Sequence, residues 1–514
     1  MRKLVFEIFE TRGTEEMQNE FDYVVVGGGT AGIIVAVRLA TETQASVCLI
    51  EAGPAAEHDM AVLDYRNWVS MFGGEYDFGY ETEPLECNNN RMAHPRGKLL
   101  GGCSSHNTVI AFRAPDADLR TWVKRGAKGW GPKAMGPAWQ RVQQRTHAHI
   151  APQVNPAEIA FMQAAQNAGW PIQYANGKRD LVDGACWLHV NEVGGIRMSS
   201  AMAYLFPMES VPSNLTVLTE TQVQRITLDS SHTATGVQTS RGQITANKEV
   251  ILCAGVIASP QLLMLSGIGP AQHLAQVGVP LLVDLPGVGQ HLQDHVESVV
   301  LFETNKPVPR TGSQHWENAI FARTNNVLKD FDLMIHFGSE GYYVNMASYL
   351  KAAADDHLFC MTPNAARPKS EGFIKLRSND PCEKPIIDPR YYTDATGADV
   401  RTVVEGIKLS RRVAAQSPLR EWIKQELAPG PAVQSDEDLA RYVKQTAATV
   451  YHLCGSCRMG AADDGDAVVD PQLRVRGVSG LRIADASIMP SMVGVNPCLT
   501  VMQIGERCAD LVMG

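Results

Sequence analysis

Apolar residues fall in short blocks along this chain, and the blocks alternate between two periods. Phe21 to Val26 is a nearly continuous apolar run of strand length, and Ile33 to Leu39 after it reads as a helix. Ser46 to Ile50 is a second strand and stops at Glu51. Further on, Asn214 to Leu218 and Glu249 to Cys253 read as strands, the latter running through Ala254-Gly255 into a helix, Ser259 to Leu265. Phe331 to Phe337 is strand-like, and Val400 to Ala414 and Asp436 to Gln445 are amphipathic helices. Leu481 to Ala484 is the last strand signal and Leu499 to Val512 a terminal helix. Strands alternating with helices predict an α/β protein.

The first three blocks carry a motif. Between strand and helix stand Gly27-Gly28-Gly29-Thr30-Ala31-Gly32, which fit G-x-G-x-x-G. Gly27 allows a tight turn, Gly29 lets backbone approach a pyrophosphate, and Gly32 lets helix pack on strand. The helix start, with Thr30 and Ala31, offers unpaired N–H groups and a positive dipole end to phosphates. Glu51 closes the second strand, where a carboxylate accepts from a ribose 2′-hydroxyl. The expected ligand is a dinucleotide with an unphosphorylated ribose.

Composition narrows the class. The 514 residues are 45% hydrophobic and 20% charged with 44 glycines, as in globular proteins. A net charge of −9 with no basic run argues against nucleic acid. No apolar run reaches membrane-spanning length. Residues 1–20 hold a short apolar stretch broken by Glu7 and lack the features of an export signal, so they read as a leader on a cytoplasmic protein. The 11 cysteines do not suggest a disulfide framework. Cys454-Gly455-Ser456-Cys457 lacks a second C-x-x-C for zinc and reads as tight packing, so no metal is expected.

Four stretches together resemble the glucose–methanol–choline oxidoreductases. They are Gly27 to Gly32, Arg96 to Asn107, Gly255 to Pro270, and the C-terminal set Tyr451-His452, Ala484 to Ser487 and Asn496-Pro497. The resemblance spans Phe21 to Met513 and implies a Rossmann-like FAD-binding domain beneath an α+β substrate domain with an antiparallel sheet. The expected division gives 21–158, 185–300 and 450–514 to the FAD domain, and 159–184 and 301–449 to the substrate domain. By the same resemblance Gly101, Gly102, Ser105, Asn107, Thr108, Val223, Asp485, Ala486, Asn496 and Pro497 hold FAD. His106 stands where choline-oxidising members carry a histidine joined to the flavin 8α-methyl. A neutral imidazole is a nucleophile, which suits that bond.

The resemblance further implies FAD-dependent oxidation of a small primary alcohol, with oxygen or another acceptor taking the electrons. His452 and Asn496 would hold the developing alkoxide, and His357 would be a second polar group on the hydroxyl. Gln314-His315-Trp316-Glu317 suggests Glu317 as the counter-charge to a cationic head, within aromatics Trp68, Phe78 and Tyr451. Phe78, His315, Cys498 and Thr108 depart from the choline-oxidising pattern, which keeps a dehydrogenase or oxidase of another small alcohol in view. A homodimer is also left open. Hydroxynitrile lyases of the family need no flavin-linked histidine, so His106 argues against that class.

Overall fold

The computed structural model describes residues 19–177, 179–312, 314–342 and 355–514; residues 1–18 of the expected leader lie outside them. Two sheets organise the chain. In the first, β1 (Glu20–Val26), β2 (Val47–Ile50) and β3 (Leu215–Leu218) lie parallel on one side. On the other side of β1 lie β4 (Gly242–Leu252) and β5 (Leu481–Ile483), also parallel. An antiparallel hairpin, Val223–Leu228 and Ala234–Thr239, extends from β4. Val24 to Val26, Val47 to Ile50 and Val250 to Leu252 are all buried, as expected of a parallel sheet covered on both faces.

β4 is longer than the apolar run that announced it. Its first half, Gly242 to Asn247, mixes exposed and buried residues and pairs with the hairpin. Only its last three residues, Val250 to Leu252, are buried on both faces and carry a continuous apolar signal. Helix α1 (Gly32–Glu42) covers the sheet and packs against the terminal helix, Cys498–Met513. Arg38 locks them, with Nη1 at 2.9 Å from Glu506 Oε2 and 2.7 Å from Asp510 Oδ1.

The second sheet has nine strands. Its main path runs Ile423–Ala428, Val300–Thr304, Leu358–Ala365, Leu333–Gly338, Asn318–Ala322, Gly184–Trp187, Ile172–Tyr174. Every pair on it is antiparallel except the last. Val296–Glu297 joins it between Asn364 and Ala448–Thr449. The central strands are buried throughout. Helix Ala398–Ala414 covers one face. The alternation of a strand decides the other: His336 pairs with Thr362, and Glu297 pairs with Asn364, two residues on from Thr362. His336, Thr362 and Glu297, polar residues in apolar strands, therefore share the face turned to the first sheet. Among the described residues no helix is long and apolar enough to cross a membrane.

Candidate active site

One cavity of about 330 Å³ runs from the end of β1 to that polar face. Its size suits a small-molecule or cofactor site. At one end lies the glycine turn. Gly27 has φ +99°, and a Cβ on it would strike the Cys253 carbonyl; a Cβ on Gly32 would strike the Gly27 carbonyl. Gly29 has no heavy atom nearer than 3.9 Å to a built Cβ and faces the cavity with Thr30 and Ala31. The turn thus leaves open the one position where a phosphate would need backbone access.

Glu51 lines the cavity and also braces the turn. Its Oε2 accepts from Gly28 N and its Oε1 from Gly53 N, each at 2.9 Å. Burial pushes its pKa up to about 7. At the start of α2 (Gly255–Leu265), Asp485 accepts from Gly255 N at 2.9 Å and Ser259 Oγ at 2.6 Å. That fixes a second helix N-terminus, residues 254–258, along the cavity wall. Val223, Ala486 and Pro497 complete this end.

The Arg96 to Asn107 stretch crosses the middle. Gly101 N donates to Gly28 O at 2.7 Å and Ser105 Oγ to Leu100 O at 2.9 Å. Gly101, Ser105 and Gly32 thus shape the walls from behind, while Gly102, His106, Asn107 and Thr108 line the cavity. His106 is 5% exposed, and burial pulls its pKa down to about 4. Its ring is therefore neutral, packed 5.1 Å from Phe72, and Nε2 is buried without a hydrogen-bond partner. An orphaned imidazole nitrogen at a cavity wall fits a residue whose partner is a bound group. Asn107 Oδ1 is held by Arg197 Nη1 at 2.8 Å and Val109 N at 3.0 Å.

The far end holds the polar chemistry. His452 is partly buried, with its backbone N–H donated to Asp294 Oδ1 at 2.8 Å and its Nδ1 2.9 Å from His295 Nδ1. Burial holds both imidazoles below the usual range, so both rings are neutral. His295 Nε2 lies 3.0 Å from the Ala366 carbonyl, which can only accept, so Nε2 carries that ring's proton. His295 Nδ1 must then accept from His452 Nδ1–H. This network assigns the lone pair of His452 to Nε2, leaving that nitrogen able to accept a proton. By the same logic His336 Nε2–H donates to Asn496 Oδ1 at 3.3 Å, leaving the Asn496 amide hydrogens as donors.

Two expected residues are elsewhere. His357 sits on a short turn before Leu358, partly exposed, with Nδ1 2.9 Å from Asp356 Oδ1. The histidine beside Asn496 in the cavity is His336. Glu317 is buried but turned away from the cavity, against Gly312 and near Glu158. The carboxyl that lines the cavity is Glu297, 4% exposed, held up well above the usual carboxylate range by burial, with Thr362 as a hydrogen-bonding neighbour. No cationic side chain among the described residues forms an ion pair with it. Trp68, Phe78 and Tyr451 do line the cavity, and Phe72, Trp316 and Tyr342 extend that aromatic wall. Cys454 and Cys457 are both buried and free.

Sequence patterns described as GMC oxidoreductase match residues 21–297 and 368–505. The chain belongs to this family of flavin-dependent oxidoreductases. It is 43% identical to choline oxidase of Arthrobacter globiformis, over 96% of this chain and 94% of that protein. It is 34% identical to the mitochondrial choline dehydrogenase of Homo sapiens, over 97% and 91% of the two chains. The crystal structure of pyridoxine 4-oxidase from Mesorbium loti superposes with a TM-score of 0.88 at 29% identity, covering 95% of this chain and 98% of that one.

Proposed function

We propose that this protein oxidises a small cationic primary alcohol of the choline type, with oxygen as electron acceptor. The observation that carries the reading is Glu297, a buried carboxyl facing an aromatic cavity with no described ion-pair partner. A buried carboxylate is costly unless a cation accompanies it, and aromatic faces attract the same cation. The choline-oxidising relatives support the same class.

FAD would be held by the Gly27–Gly32 turn, Glu51, His106 to Thr108, Val223 and the Asp485–Ala486 and Asn496–Pro497 pairs, and when bound supplies the acceptor for a hydride. The chain's own residues do the rest. Asn496 donates to the substrate oxygen, and His452 Nε2 takes the hydroxyl proton. His295 keeps His452 in the required tautomer, and Asp294 holds its backbone. The aromatic wall excludes water from the reacting carbon. We propose that the neutral, partnerless Nε2 of His106 would hold the flavin through its 8α-methyl carbon, which would lose one hydrogen as a proton while the flavin takes up the bond's electron pair and passes it on to oxygen.

Choline against 3,3-dimethylbutan-1-ol, its uncharged isostere, tests the substrate class. Choline is expected to be oxidised at least about tenfold more efficiently, the scale of a modest charge–charge contact. Equal rates remove the cationic reading. An oxygen electrode tests the acceptor on the same samples. For the flavin link, acid-precipitated protein is expected to remain yellow, and His106→Ala to release its flavin into the supernatant. Complete loss of flavin from the wild type would refute the bond.

A further inference from the structure

The cationic reading leaves open whether the charged head is a bare quaternary ammonium or one that still carries a hydrogen. The polar end of the cavity bears on this. Tyr342 Oη lies 3.1 Å from Tyr451 Oη, and both residues line the cavity alongside Glu297 and Thr362. Trp316 packs edge-on against Tyr342 at 5.6 Å, and Trp316 Nε1 donates to Glu340 Oε1 at 2.8 Å, which fixes both rings. Whichever tyrosine donates, the pair consumes one O–H and leaves lone pairs on both oxygens.

A quaternary ammonium presents only methyl groups. Seated here, it satisfies aromatic faces but offers nothing to the lone pairs of two partly buried hydroxyls on the cavity wall, and it displaces water from them without replacing the hydrogen bonds. Polar groups in that position are destabilising. An ammonium with one N–H can donate to Tyr342 Oη, Tyr451 Oη or the Glu297 carboxylate, and a charge-assisted hydrogen bond is stronger than a neutral one. Its remaining methyl groups still meet Trp68, Phe72 and Trp316. A cavity that contained only aromatic rings and a carboxylate would have no such preference.

Resting on the cationic reading, we infer that the preferred substrate is a protonated tertiary or secondary amino alcohol, with Tyr342 as the residue that selects it over a quaternary ammonium. Tyr451 is its partner in the hydroxyl pair and carries the same test in second place.

Steady-state oxidation by the flavin-loaded protein decides it, with choline, N,N-dimethylaminoethanol and 3,3-dimethylbutan-1-ol compared at a pH where the amine is protonated. Wild type is expected to favour the tertiary amine over choline in kcat/KM by about tenfold, or about 1.4 kcal/mol. Tyr342→Phe keeps the ring and is expected to abolish that preference, bringing the amine-to-choline ratio of kcat/KM to about one; Tyr451→Phe is expected to do the same should the first variant fail to fold. A wild type that favours choline over the amine, with the neutral alcohol still poor, overturns this inference alone. So does a ratio that neither variant moves. A neutral alcohol as good as both cations removes the cationic reading and this inference with it.

Discussion

Replacing His452 with alanine is expected to slow substrate-driven flavin reduction by roughly 10² to 10³, or about 3–4 kcal/mol, the scale for one preorganised group at a developing oxyanion. The lost group is a neutral imidazole whose Nε2 lone pair is assigned by the His295–Ala366 chain. Substrate binding should change little, because the proposed role of His452 concerns a proton that moves only in the reaction. The measurement is rapid mixing of flavin-loaded protein with substrate, reading the rate at saturation separately from the dependence on concentration. His295→Ala should slow the same step by a smaller factor, since it frees the His452 tautomer without removing the ring. A His452→Ala protein that reduces its flavin at near the wild-type rate would end the assignment.

Glu297→Gln is expected to cost choline about 100-fold or more in kcat/KM, the lower range for truncating one partner of a buried charge pair. Oxidation of the neutral isostere should stay within a few-fold. The pH dependence has a definite sign. Burial holds the Glu297 carboxyl well above its ordinary 4.5. A bound cation favours the ionised form, so cation binding releases a proton in the pH range up to that raised value and tightens as pH rises through it. The isostere should show no such rise, and Glu297→Gln should flatten the rise for choline. Measuring both alcohols on both proteins across pH separates the charge term from everything else. A flat choline profile in wild type would mean that the carboxyl does not meet the substrate.

The cofactor end of the site is legible from short-range pattern. Gly27, Gly29, Gly32 and Glu51 lie within one strand–turn–helix–strand unit, and local sterics fix their places. Trp68, Phe78, Tyr451, His452 and Asn496 also reach the cavity. His357 and Glu317 do not, and the reason is common to both. Their assignment rests on resemblance read along the chain, whereas the cavity end is built by pairing between strands distant in sequence. A physical signal for the residues that do line the cavity is present: His336 interrupts Leu333 to Phe337, and Glu297 with Ser298 interrupts an otherwise apolar run from Val296 to Phe302. A titratable group inside a strand buried on both faces must face either a partner or a cavity. His357, which follows two aspartates, carries no such tension. The tautomer of His452 depends on His295 and on the carbonyl of Ala366, a relation only the folded backbone reveals.

The first sheet sets β5 beside β4 and β4 beside β1, and Arg38 of α1 grips Glu506 and Asp510 near the other terminus. The nucleotide-binding half is therefore closed by a contact between residues 468 positions apart. During synthesis β1 and α1 leave the ribosome long before their partners exist. Contacts of such sequence separation form late and slowly. The glycine turn can be shaped early, but the packing that holds it rigid awaits the helix Cys498–Met513. Capture of the dinucleotide thus awaits the helix Cys498–Met513, and loss of that helix would unmake a phosphate cradle whose own glycines were translated long before it.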